Sequence, residues 1–279
     1  MLKLKNIFPI NYLILFFIII NPAGLYSSPT LSFSLALDDF QNLFHSQDGI
    51  SSTEGIFTAS VAGGTAAFIY KYDNKFLKSS IQPHSNKYKS PFLHSLSSSA
   101  YWYGKNKTNL FLTWGGITGS LLSASYITQD SRHLKNAVIL AESTFFSSLI
   151  VISSKIMLGR ERPSYNFEGN FRWMELDSKK WSMPSGHTTL IFTFASVLAH
   201  SYDNLFMKIP AYTFAVCSGL ERIEHKKHWP SDVIVGAVLG YYIGSKTYQL
   251  NQNRGSTPLN FSLSISPYSY GLNLSLALP

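Results

Sequence analysis

The sequence predicts a mainly α fold: a six-helix bundle core with a small antiparallel β element. Three observations lead there. Six apolar helical runs fill residues 55–250. Strict period-two alternation appears near the two ends, at Leu31–Leu37 and within 257–279. Only 14% of the 279 residues are charged, against ~25% in ordinary soluble domains.

In chain order, residues 1–28 read as a signal peptide, with an uncleaved N-terminal anchor as the alternative. Lys3 and Lys5 supply a positive start, Tyr12–Ile20 a dense apolar stretch, and Ser27 and Ser28 small residues at a cleavage point. Residues 29–54 follow as a strand at 31–37 and a polar lead-in. The helical domain is expected over 55–250. Its first run, Gly55–Tyr70, is interrupted by Gly63-Gly64. Lys71–Lys107, rich in Ser and Lys, reads as a linker-like stretch with short helices, and its His84 and His94 as surface residues. The remaining runs are Thr108–Gln129, Ala137–Met157, Thr188–His200, Ile209–Leu220 and Val233–Gly244.

A membrane span needs about 20 apolar residues. Only 12 residues separate Glu142 from Lys155, 12 separate Lys208 from Glu221, and 13 separate Asp232 from Lys246. These lengths suit buried helices of a bundle, and Thr108–Gln129 is the one fair span candidate. The expectation is a bundle outside the cytoplasm, resting on or near a membrane, rather than a polytopic protein. At 257–279, Leu259, Phe261, Leu263 and Ile265 alternate with polar residues, and the pattern resumes from Tyr268. That predicts a C-terminal hairpin about a Pro267–Gly271 turn, with Leu31–Leu37 as a third strand.

The net charge of +8 favours anionic substrates or anionic lipid surfaces. The basic residues are not clustered among aromatics as a nucleic-acid site requires, so no nucleic-acid partner is expected. The single cysteine, Cys217, lies in an apolar run and reads as a buried small hydrophobe.

Chemistry concentrates between Lys155 and Asp232. Three polar clusters occur there: Lys155, six intervening residues, then Arg162-Pro163; Pro184-Ser185-Gly186-His187; and Arg222, five intervening residues, His228, three more, then Asp232. Phosphoryl transfer is catalysed mainly by positioning and charge stabilisation. Lys155, Arg162 and Arg222 offer cations, the two arginines as planar forks matched to phosphate oxygens. Ser185 and Gly186 can add a hydroxyl and backbone N–H groups at a helix start. One histidine can attack phosphorus while the other protonates the leaving oxygen. Asp232, four residues after His228, would face it on a helix and orient its imidazole. Glu221, Glu224, His225, His228 and Asp232 lack the His-Glu-x-x-His spacing of a metal site, and Ser185 is not in a Gly-x-Ser-x-Gly elbow. Neither a metal, nor another cofactor, nor a serine nucleophile is expected.

These clusters resemble the signature of the phosphatidic acid phosphatase type 2 superfamily, which also holds class A acid phosphatases and vanadium haloperoxidases. The pattern Lys-x6-Arg-Pro, Pro-Ser-Gly-His, Ser-Arg-x5-His-x3-Asp is matched at every position but one. Glu221 stands where the family usually has serine, which removes one auxiliary phosphate hydrogen bond and sets a carboxylate beside the anion site. The resemblance covers about 80 of the 279 residues. It implies that His228 is the nucleophile forming a phosphohistidine, His187 the general acid, and Asp232 the orienting partner. Lys155, Arg162, Ser185, Gly186 and Arg222 would hold phosphate, with no metal.

The expectation is therefore a metal-independent phosphomonoesterase in a bacterial cell envelope, periplasmic and membrane-associated or integral. It would act on a lipid phosphate such as phosphatidic acid, an isoprenyl pyrophosphate or a lipid A phosphate. The alternatives are a broad-specificity acid phosphatase on soluble esters, a vanadium haloperoxidase and a non-catalytic envelope protein.

Overall fold

Helix termini in this chain are written in local chemistry. Ser90, Asn106, Asp130 and Asn204 each stand at an N-cap and accept a backbone N–H two or three residues on. The helices they open, with the others described, are α1 (Thr53–Ser80), α2 (Pro91–Ser99), α3 (Tyr101–Lys105), α4 (Lys107–Thr128), α5 (Ser131–Leu158), α6 (Gly186–Ser201), α7 (Leu205–Glu224) and α8 (Pro230–Asn253). They come from a computed structural model that describes residues 40–43, 53–82, 85, 87–253, 259–266 and 269–276. The expected signal segment and the strand at 31–37 lie outside the described residues.

The body is mainly helical, and two sequence expectations change there. α1 runs unbroken through Gly63-Gly64 to Ser80. The 71–107 stretch is folded rather than linker-like. Its Ser- and Lys-rich surface conceals buried Asp73, Leu77, Ile81, Tyr88, Ser97, Ala100 and Tyr103. Leu77, Ile81 and Tyr88 pack with Ile223 and Trp229 in one apolar cluster, so α1 and the loop after it are pinned to the ends of α7 and α8.

The closest helix pairing joins α6 to α8. A Cβ on Gly236, Gly240 or Gly244 would come within 2.8, 2.1 and 2.7 Å of the Ser185, Thr189 and Thr193 carbonyl oxygens. This four-residue spacing of glycines lets two backbones touch. The hydroxyls of Thr189 and Thr193 on α6 turn back onto carbonyls four residues earlier. The seam sets the starts of both helices side by side, where the Ser185 N–H donates to the Asp232 carbonyl at 3.0 Å.

Contacts divide the chain into two units, one comprising residues 33–255 and the other residues 1–32 with 256–279. In the second, Leu259–Ser266 pairs antiparallel with Ser269–Leu276, Leu259 opposite Leu276 and Ser266 opposite Ser269. Gly271 lies inside the second strand, opposite Ser264, and is not part of a turn as the sequence suggested. The described helical body itself contains no sheet, only an isolated bridge between Ile81 and Tyr88.

Candidate active site

Lys155 sits in the last turn of α5. The helix stops because Gly159 takes the left-handed conformation at φ 52° and donates its N–H to the Lys155 carbonyl. A Cβ on Gly159 would lie 1.9 Å from the Arg172 carbonyl oxygen, so only glycine turns the chain here. The Lys155 ammonium donates to the carbonyls of Trp181 (2.8 Å) and Ser182 (3.3 Å). Arg162 reaches the same Trp181 carbonyl at 3.3 Å. Both cations from the first cluster thereby grip the segment leading into Pro184-Ser185-Gly186-His187.

Ser185 stands at the N-cap position of α6 without a side-chain capping bond and is fully buried, its hydroxyl 2.8 Å from that of Thr188. A Cβ on Gly186 would meet Val151 and Lys155 atoms at 3.4 and 3.8 Å, ordinary contacts. Packing therefore makes no demand for glycine at this position. His187 follows, with the Tyr103 hydroxyl donating to its carbonyl at 2.8 Å and the Tyr103 ring edge-on to the imidazole. Its Nε2 is buried and without a partner among the described residues. Burial first, then the charges of Arg222 and His228, push its proton affinity well below the usual imidazole range.

The third cluster spans the turn from α7 into α8. His228 is buried, with its N–H on the Arg222 carbonyl at 3.3 Å. Its Nδ1 lies 3.8 Å from Asp232 Oδ2, a charge contact too long for a hydrogen bond. Burial lowers its pKa from 6.5 to about 3; Lys155 and Arg162 add to the fall, and Asp232 opposes it. Both histidines are thus neutral at physiological pH.

Asp232 occupies the third position of α8, after Pro230 in the first turn. Its Oδ2 accepts the Trp229 N–H at 2.9 Å, as in a capping box, and the Ser182 hydroxyl at 2.5 Å. Its Oδ1 accepts from Arg160 at 2.6 Å. Burial alone would raise the Asp232 carboxyl; His228, Arg160 and Ser182 more than offset it and hold the group below its ordinary value.

The eight residues expected from the sequence therefore meet in one region. Arg162, Arg222 and His228 all act on His187, while Lys155, Arg162 and Asp232 act on His228. Gly186 and Ser185 lie between them at the start of α6.

Two charged residues escaped the sequence reading. Arg160, 1% exposed, bonds Ser231 and Asp232 through one nitrogen and Asp73 through the other, at 2.7, 2.6 and 2.8 Å. Its guanidinium lies within 4.8–5.3 Å of the Tyr70, Trp229 and Phe171 ring centres. The second arginine inside the first cluster was its only signal. Asp73, far upstream on α1, had none.

Glu221, 1% exposed, turns back onto Arg222, which also bonds the Gly104 carbonyl. Its other oxygen is 3.2 Å from His225 Nδ1. Burial raises the Glu221 carboxyl, and Arg222 counters it. His94, expected as a plain surface residue, contacts the buried carboxylate of Glu224 at 2.8 Å. Glu224 also accepts from the Tyr88 N–H and the Ser97 hydroxyl. That group ties α2 to the end of α7 and stands apart from the phosphate-type cluster.

Residues 136–256 match the model of the PAP2 superfamily. Over 86 residues the chain is 34% identical to a lipid A 1-phosphatase of Porphyromonas gingivalis; the match covers 29% of this chain and 19% of that protein. The chain thus spans about a fifth of the length of that curated relative. Among solved structures, LpxE of Aquifex aeolicus aligns at TM-score 0.44 and 23% identity, over 63% of this chain and 92% of that one. A transmembrane PAP2 type phosphatidylglycerolphosphate phosphatase from Bacillus subtilis aligns at TM-score 0.45 and 15% identity, over 71% and 93%.

Proposed function

We propose that the chain, whose residues 136–256 match the PAP2 superfamily model, is a phosphatase of that superfamily that cleaves phosphate from a lipid by way of a phosphohistidine. The observation that carries the reading is the meeting of two buried neutral imidazoles with three cations from separate parts of the chain.

His228 acts as nucleophile. A neutral imidazole attacks phosphorus, the ester P–O bond breaks, and the leaving oxygen takes a proton. His187 supplies that proton, having taken one up as the phosphate anion enters the pocket and offsets the charges of Arg222 and Arg162; the neutral ring left behind then accepts the proton of the attacking water. Water then attacks phosphorus, the P–N bond breaks, and inorganic phosphate leaves. Lys155, Arg162 and Arg222, with Ser185 and the N–H groups at the start of α6, hold the phosphoryl oxygens, supplying the charge stabilisation a metal provides elsewhere. Asp232, 3.8 Å from the ring, stabilises the charged form of His228.

A lipid substrate is favoured by the surface around the site. The loop between Arg162 and Trp181 exposes Tyr165, Phe171, Trp173, Met174 and Leu176. Its backbone is tied to the end of α5 by Arg172 to Gly159, Met174 to Met157 and Glu175 to Ile156 bonds. Thr108–Thr128 is apolar and long enough to cross a membrane, with only 17% of its most apolar window buried; Ser131–Leu158 also qualifies but is 61% buried. We place the enzyme at a bacterial envelope membrane, on phosphatidic acid, an isoprenyl pyrophosphate or a lipid A type phosphate. In the same reading the long helices form a six-helix core.

The test is phosphate release from phosphatidic acid vesicles against a soluble aryl phosphate, with and without chelator. Turnover of the lipid that persists in chelator is expected, and His228→Ala should abolish it, a loss of at least about 10,000-fold. Wild-type rates in that variant would overturn the nucleophile assignment, and faster release from the soluble ester would favour the broad-specificity reading.

A further inference from the structure

We propose that Asp73, from a helix outside the family-matched segment, is a positioning residue for the phosphoryl-accepting histidine, acting through Arg160 and Asp232. This rests on the phosphatase reading above.

Asp73, Arg160 and Asp232 are 2%, 1% and 0% exposed. Asp73 Oδ2 lies 2.8 Å from Arg160 and Arg160 2.6 Å from Asp232 Oδ1, while Asp232 Oδ2 faces His228 Nδ1 across 3.8 Å as a charge contact. Two carboxylates share one guanidinium, so the buried group carries net negative charge behind the imidazole. With Asp232 as its only partner, Arg160 would draw that carboxylate's charge away from His228. Asp73 engages one of the two terminal nitrogens and leaves Asp232 more basic toward the ring. Asp73 also accepts the Ser231 N–H at 3.0 Å and the Ser231 hydroxyl at 2.5 Å. It therefore fixes, from α1, the first turn of α8 on which Asp232 is mounted. Groups that orient a reacting side chain through an intermediary are typically worth about 10- to 100-fold.

The experiment uses the full chain with phosphatidic acid vesicles and compares wild type, His228→Ala, Asp73→Asn and Ser231→Ala. Asn keeps the size and one acceptor of Asp73 but removes its charge. The expected result for Asp73→Asn is a kcat about 10- to 100-fold lower with KM within about threefold of wild type. Rapid quench should show slower build-up of the acid-labile phosphoenzyme, while circular dichroism and the melting midpoint stay near wild type. A wild-type kcat in folded Asp73→Asn, or a loss that only tracks the folded fraction, would overturn the inference. Should Asp73→Asn not fold, Ser231→Ala reads the same link. It removes one anchor of Asp73 and one acceptor of Arg160, and a several-fold lower kcat at unchanged KM is expected, wild-type kcat being the refuting outcome. No turnover by the wild-type chain would instead remove the phosphatase reading, and the inference with it.

Discussion

Two buried arginines, Arg160 and Arg222, do opposite things with their charge. Arg160 is closed off: both terminal nitrogens are held by carboxylates, aromatic rings surround it, and 1% of its side chain is exposed. Arg222 has one carboxylate, its neighbour Glu221, and one carbonyl, that of Gly104, with 6% of its side chain exposed. The first stands behind Asp232 as scaffold; the second is, in the proposed mechanism, a charge for the phosphate. The two differ in what their donors meet, two carboxylates for Arg160 against one carboxylate and a backbone carbonyl for Arg222.

Breaking the scaffold should have the larger effect. Arg160→Met leaves Asp73 and Asp232 buried without their cation, and removing one partner of a buried pair costs about 3–5 kcal/mol. The expected outcome is a large fall in the urea midpoint together with loss of turnover. An active Arg160→Met variant of wild-type stability would make the two arginines equivalent and end the comparison.

The two clusters also differ in how far the sequence announced them. Arg222, His228 and Asp232 stand at fixed spacings around one helix start, and local chemistry is what spacing encodes. The helix caps at Asn106, Asp130 and Asn204 are local in the same sense. Asp73 meets Arg160 across 87 positions of chain, and no periodicity records such a meeting. Lys71–Lys107 misled because its anchors are few and scattered: buried Asp73, Leu77, Tyr88 and Tyr103 sit among exposed Ser and Lys. Glu221 was visible as a departure from the family pattern, but its turn onto Arg222 depends on Gly104, more than 100 residues away.

Gly104→Ala probes that dependence. A new Cβ would lie 1.9 Å from Glu221 Oε2 and 2.6 Å from an Arg222 terminal nitrogen, so one side chain must give way. Overpacking of this kind costs about 1–3 kcal/mol. KM should rise more than kcat falls, because Arg222 moves while the histidines stay. Unchanged KM would place Arg222 outside the phosphate site.

Acid sharpens the contrast through the histidines. His228 is shifted from 6.5 down to about 3, and His187 lies well below the same starting value. A group with depressed proton affinity in the fold takes up protons on unfolding, so stability falls as pH drops below 6.5. Each histidine contributes at most about 1.4 kcal/mol per pH unit. Asp232, held low, is lost in the same direction further down, whereas Asp73 and Glu221, both raised, pull the other way. The slope between about pH 6.5 and 5 in urea titrations should therefore flatten in His187→Gln and again in His228→Gln. A slope unaltered by either change would mean that neither ring is neutral in the fold.

The smallest expected effect decides what Glu221 does for Arg222. As a clamp it would hold the guanidinium in place; as a counterweight it would reduce the charge available to phosphate. Glu221→Gln retains an acceptor for Arg222 and removes only the negative charge, so stability should stay within about 1 kcal/mol. A counterweight predicts that KM for a phosphate ester falls several-fold, because the anion no longer competes with a carboxylate for the same donors. A clamp predicts no such gain, and a higher KM if the uncharged amide holds the guanidinium less firmly. Burial raises the Glu221 carboxyl, so on the counterweight reading acid would do to the wild-type enzyme what glutamine does permanently. KM should accordingly fall with pH in wild type more steeply than in Glu221→Gln, and parallel profiles would assign the residue to holding the arginine alone.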